Sequence, residues 1–121
     1  MVTDTTEILT RPWGHEEIWA LTDRYCGKYL YVNKGESLSW QYHERKDETI
    51  RVLHGLVKLE LSDTDTPAET ALLQENEKRH IPAGKRHRMT AIDASVIVEV
   101  STPELGDVVR IEDRYGRTTN R

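Results

Sequence analysis

The 121-residue chain has one cysteine, Cys26, so no intramolecular disulfide framework can form, and no CxxC pair suggests a structural zinc knot. It has no basic block. The net charge of −4 is spread along the chain, and the clustered cationic footprint of a phosphate-backbone binder is missing, which argues against a nucleic-acid partner. No apolar run approaches the roughly 18 residues that a membrane helix needs, so no membrane partner is expected. The opening MVTDTTEILT has neither the charged head nor the apolar stretch of a signal peptide, and the expected location is cytoplasmic. Internal repeats, low-complexity runs and composition breaks are absent as well, leaving a single domain.

Helical periodicity is also missing. No segment sustains a 3.6-residue apolar period over twelve residues, although Ala68 to Glu77 has room for one helical turn. What recurs is short alternating segments divided by turn residues: Tyr25 to Val32, Leu38 to Tyr42, Glu48 to Leu53, Leu56 to Leu61, Arg79 to Pro82, Arg86 to Ala91, Ser95 to Val100 and Val108 to Ile111. Asn33-Lys34-Gly35 and His54-Gly55 are turn signals, and the polar stretch Ser62 to Glu69 reads as an exposed loop. Many short strands at this spacing predict an all-β sandwich or barrel.

Strand parity then places the chemistry. Side chains at i and i+2 share a face, so Ser39, Gln41 and His43 point one way while Leu38, Trp40 and Tyr42 point the other. Glu48 shares its face with the core-like Ile50 and Val52, which puts a carboxylate inward, where an unpaired charge is costly. A divalent ion removes that cost. Imidazole, carboxylate and an amide oxygen suit several such ions. Isolated histidines, His15, His54 and His80, read as solvated or hydrogen-bonded residues. Trp13, Trp19 and Trp40 read as core or dimer packing in preference to sugar-stacking faces, and Trp40, opposite the ligand face, as packing or a subunit interface.

The spacing is more specific than the parity. Gly35, five residues, Gln41, one residue, His43, four residues, Glu48, six residues and Gly55 resembles the first cupin motif, with Gln at its first His. Asn76, five residues, Pro82-Ala83-Gly84, two residues and His87 resembles the second. Asn76 replaces a usual Gly and tolerates the left-handed conformation better than most residues; Ala91 stands where Asn is common.

The likeness extends further. Arg11-Pro12-Trp13-Gly14, Arg24-Tyr25 with Lys28, Gly35-Glu36, Leu38-Ser39, and Val109-Arg110-Ile111-Glu112-Asp113 followed by Tyr115-Gly116-Arg117 together resemble the cupin domain of type II phosphomannose isomerases. The resemblance implies a small single-domain jelly-roll β-barrel over residues 11–117, preceded by a segment 1–10 and followed by a tail 118–121. It implies one divalent metal ion, zinc first with iron, manganese or nickel as alternatives, held by Gln41, His43, Glu48 and His87. It also implies a sugar or sugar phosphate as the small-molecule substrate of an aldose–ketose isomerase, with Lys28 and Arg110 anchoring it or stabilising charge. A homodimer is expected. The base is unassigned: Glu48 is committed to the ion, and Glu17 or a metal-bound water are the remaining candidates.

Three departures stand out. Glu44, Arg45 and Lys46 replace a histidine cluster, Thr49-Ile50 replaces an aromatic-containing pair, and Tyr29 replaces an Arg after Lys28. Tyrosine cannot give the bidentate hold that Arg offers phosphate, which speaks against a phosphorylated substrate. The rival readings are a cupin oxygenase or epimerase and a non-catalytic sugar-binding module.

Overall fold

The computed structural model describes residues 4–119; residues 1–3 of the N-terminal segment and 120–121 of the tail lie outside that range. Eleven strands follow in order: β1 Glu7–Arg11, β2 Gly14–Leu21, β3 Cys26–Val32, β4 Trp40–Tyr42, β5 Glu48–His54, β6 Val57–Ser62, β7 Glu69–Leu73, β8 Lys78–Ile81, β9 Arg86–Ala91, β10 Ser95–Ser101 and β11 Val109–Glu112. They form two antiparallel sheets, one ordered β1-β2-β3-β10-β5-β8 and the other β11-β4-β9-β6-β7. Both sheets carry strands from both halves of the sequence, so the core closes only when distant segments pair. No helix among the described residues is long and apolar enough to cross a membrane.

Alternation drives each strand. In β10, Ser95, Ile97, Glu99 and Ser101 are buried while Val96 and Val98 are half-buried and Val100 is exposed. In β5, Glu48, Ile50 and Val52 point inward and Arg51 and Leu53 point to solvent. Facing them from the second sheet are Val57, Leu59 and Leu61 of β6 and Met89 of β9. Each fully buried aliphatic side chain of this kind contributes about 1.5–3 kcal/mol. Two turns demand unusual backbone. Gly55 has φ +97°, and a Cβ there would fall 2.3 Å from Ser95 Oγ. Asn76 adopts φ +71°, so the left-handed residue expected at the motif's Gly position is present.

The sequence expectations need four corrections. Residues 69–73 form β7, paired along its length with β6, and not a helical turn. β1 and β2 were not foreseen, and β1 begins within the segment 1–10. Leu38 lies in the inner core, because regular strand geometry starts only at Trp40 and the parity breaks before it. Trp40 is fully buried within the chain, its indole N–H donating to the Asp65 carbonyl at 2.7 Å and Arg88 lying 5.7 Å over its ring, so it offers no subunit interface. Its cover is the polar loop before β7.

Candidate metal centre

Three strands bring the site together. β4 ends just before His43, β5 begins with Glu48, and β9 carries His87. Gln41 stands directly opposite His87 in the β4–β9 register, and Arg110 stands opposite Gln41 in the β11–β4 register. All four expected ligands therefore reach one end of the barrel interior, where Gln41, His43 and Glu48 line a cavity and His87 is buried beside them.

Hydrogen bonds fix the imidazole tautomers. His43 Nδ1 lies 2.5 Å from the Asp107 carbonyl oxygen, and His87 Nδ1 lies 2.9 Å from that of Lys85. A carbonyl oxygen only accepts, so both Nδ1 atoms carry a proton, and in the neutral rings both Nε2 lone pairs are free. His43 Nε2 faces Glu48 Oε2 at 2.9 Å, lone pair to lone pair when the ring is neutral and as donor to acceptor when it is protonated. His87 Nε2 is buried with no hydrogen-bond partner. A proton on His43 Nε2, or a cation held between the donor atoms, relieves this arrangement.

The donor atoms of His43, Glu48 and His87 lie within 4.8 Å of one another. Two ligands at about 2.1 Å from one ion stand about 3.0 to 3.4 Å apart for angles between right and tetrahedral, and His43 Nε2 and Glu48 Oε2 stand 2.9 Å apart. The set thus fits a divalent ion. Gln41 Oε1 accepts a hydrogen bond from Ser39 Oγ at 3.1 Å, and Gln41 lines the same cavity. Burial raises the Glu48 carboxyl, but the His43 contact and the charges of His87 and Lys46 outweigh it and hold it down at about 2. Burial pushes the His87 imidazolium below its ordinary value, favouring the neutral ring that a ligand requires.

Around the ligands the cavity is charged. Lys28 Nζ is 3.4 Å from Glu16 Oε1, which Arg11 also approaches at 3.3 Å. Lys46 Nζ is 2.7 Å from Glu99 Oε2 and 3.7 Å from Glu48 Oε2, and all three side chains are buried. Burial alone lowers the Lys46 ammonium; the Glu99 and Glu48 carboxylates overcome that and hold it above the usual lysine range. Arg117 is committed to Asp113 at 2.9 Å. Arg110 lines the same cavity, and no ion pair of its guanidinium is found among the described residues. Burial and the nearby Arg117 disfavour its charge and outweigh the opposing pull of Asp113 and Glu16.

Lys28 and Arg110 therefore do face the cavity, as expected from the sequence. Glu17 does not line it: it is half-buried opposite Tyr29 in the β2–β3 register, while Glu16 is the carboxylate turned inward. Tyr29 also lies outside, its ring stacked 5.7 Å from Trp19, so its substitution for Arg has no bearing on anion binding in the cavity. Of the residues replacing the histidine cluster, Glu44 and Arg45 are exposed but Lys46 is inside the site, not on its rim. His15 stacks on Tyr31, His54 pairs with Glu75 and His80 with Asp47, all away from the cavity. The sequence reading missed Glu16, Lys46, Glu99 and Asp107. Glu99 had the signal that found Glu48, since it shares parity with Ile97 in an alternating strand.

Two antiparallel sheets enclosing a His–Glu–His set at one end define a cupin domain, and similar solved structures agree. An RmlC-like cupin from Shewanella frigidimarina superimposes with a TM-score of 0.72 at 12% identity, covering 87% of this chain and 90% of that one. KdgF from Halomonas sp. gives 0.71 at 19% identity, covering 84% and 90%. At such identities the likeness is one of fold. The family described as Mannose-6-phosphate isomerase C-terminal matches residues 2–113, and the chain belongs to it. Mannose-1-phosphate guanylyltransferase ManC of Salmonella typhimurium is 36% identical over 112 residues, which are 88% of this chain and 22% of ManC. Xanthan biosynthesis protein XanB of Xanthomonas campestris pv. campestris is 34% identical over 113 residues, 89% of this chain and 23% of XanB. The chain thus spans about a fifth of the length of these relatives.

Proposed function

We propose that the chain is a metal-dependent aldose–ketose isomerase of the phosphomannose isomerase type, acting on a sugar phosphate. The observation that carries this reading is the convergence of three free donor atoms beside a cavity whose arginine, Arg110, has no ion-pair partner among the described residues. His43, Glu48 and His87 would hold the ion, with Gln41 as a fourth ligand and zinc the first expectation. Held there, a divalent ion would supply Lewis-acid polarisation of substrate carbonyl and hydroxyl oxygens.

The chain's own residues divide the remaining work. Arg110 gives a phosphate group the planar, bidentate partner that Tyr29 cannot. Lys28, held by Glu16, donates to substrate oxygens from a fixed position. Proton movement between adjacent carbons needs a base within hydrogen-bond reach. The cavity carboxylates outside the ligand set are Glu16 and Glu99, which join a metal-bound water as the candidates for that base. The guanylyltransferase named for ManC belongs to a far longer protein and is not assigned to this chain.

The test is elemental analysis of the purified protein, followed by assay of the zinc-loaded form on paired free and phosphorylated aldoses. Retained metal and turnover confined to the phosphorylated sugars are expected, persisting without oxygen. Arg110→Ala should raise KM for the phosphorylated sugar at least tenfold while metal content holds. Saturable binding without turnover under any metal would instead make this a sugar-binding module, and oxygen consumption with reduced iron would make it an oxygenase.

A further inference from the structure

The loop between β10 and β11 lines the cavity with Val108 and meets His43 through Asp107. Asp107 makes two different connections. Its carboxylate accepts three consecutive backbone N–H groups, from Glu44 to Oδ1 at 3.0 Å and from Arg45 and Lys46 to Oδ2 at 2.7 and 2.9 Å. Its carbonyl oxygen accepts the proton of His43 Nδ1. The first connection pins the loop to the turn that follows His43; the second uses the pinned loop to orient that ring.

We infer that Asp107 is a positioning residue for the metal site: its side chain clamps the Glu44–Lys46 turn so that its own carbonyl holds His43 with Nε2 turned toward Glu48. The inference rests on the reading of His43, Glu48 and His87 as a metal centre. Without the clamp nothing else among the described residues ties His43 Nδ1, and the ring is free to exchange tautomers or rotate. The same turn carries Lys46, whose ammonium reaches Glu99 and Glu48, so one carboxylate sets both a ligand and the cation beside it. Outer contacts of this kind fix ring orientation and tautomer, and their loss costs about ten- to a hundredfold in metal affinity.

Three variants of the full chain separate this role from general loop stability. Asp107→Ala removes all three acceptor contacts, Asp107→Asn keeps one acceptor oxygen, and Leu105→Ala disturbs an exposed residue of the same loop without touching the clamp. Zinc affinity is measured by competition with a chelating dye, and the His43 tautomer by nitrogen-15 NMR of the metal-free protein. Expected are a loss of about ten- to a hundredfold for Asp107→Ala, a smaller loss for Asp107→Asn, and no change for Leu105→Ala. In the metal-free spectra His43 should leave the Nδ1-protonated form in Asp107→Ala only, while His87 keeps it. Zinc affinity within twofold of the parent in both Asp107 variants, with an unaltered His43 signal, overturns the inference while leaving the metal site standing. A parent that binds no zinc overturns the metal reading and this inference together. If Asp107→Ala fails to fold, Asp107→Asn carries both measurements.

Discussion

The two ends of the barrel interior are built from the same strands and obey opposite rules. β5 enters at Glu48 and passes Ile50 to reach Val52; β9 runs from His87 through Met89 to Ala91; β3 runs from Lys28 through Leu30 to Val32. At one end the inward side chains are aliphatic and close-packed, with Ile50, Val52, Val57, Leu59 and Ile97 fully buried. At the other they are carboxylates, imidazoles and ammonium groups, buried almost as deeply but held apart by ion pairs around a cavity. Parity decides that a side chain faces inward; position along the strand decides whether it stabilises the fold or the site. The apolar end provides the rigidity that lets the polar end keep unpaired donors.

Breaking the apolar end should have the largest effect on stability. Ile50→Ala removes a fully buried side chain from between the sheets and should cost about 2–5 kcal/mol, read as a drop in the urea midpoint at unchanged slope. An effect below about 1 kcal/mol would mean the two sheets collapse around the hole. At the polar end, Glu16→Gln should cost about 1–3 kcal/mol at neutral pH, since it strips buried Lys28 of its carboxylate. The pH dependence has a definite sign. Burial raises the Glu16 carboxyl, but Lys28 and Arg11 together hold it below its ordinary value. Its contribution is therefore complete above the unfolded value of about 4.3 and is lost as pH falls through the lower folded value. The urea midpoints of parent and Glu16→Gln should converge in acid below about pH 4; a constant gap would assign the loss to packing. Smallest of all is Lys85→Ala. Its ion pair with exposed Asp63 should be worth about 0.5 kcal/mol or less, and zinc retention should be unaffected, because His87 is held by the Lys85 backbone carbonyl and not its side chain.

The same division governs what the sequence disclosed. The meeting of His43, Glu48 and His87 was legible because their spacing matched two ordered motifs, and β5, β9 and β10 because apolar residues recur every second position. β2 was hidden for the opposite reason. Its inward row includes Glu16, and Glu17 and Trp19 point outward, so no apolar alternation remains to be read. β7 was hidden because Leu72 is exposed and the strand is short, borrowing its order from β6. Asp107 could not be read at all: its role depends on the turn after β4 meeting the loop before β11. Nothing local in the sequence records that meeting.

The sheet order has a consequence for time as well as for shape. β4, which leads directly into His43, has only β9 and β11 as neighbours, and both come much later in the chain. During synthesis it stays unpaired until nearly the whole domain has emerged, and refolding must close long loops before the ligand strands meet. Such non-local pairing folds slowly. An ion that binds only the assembled trio joins after the rate-limiting step. Zinc should therefore lengthen the life of the folded protein by slowing its unfolding, while leaving the rate of folding almost untouched.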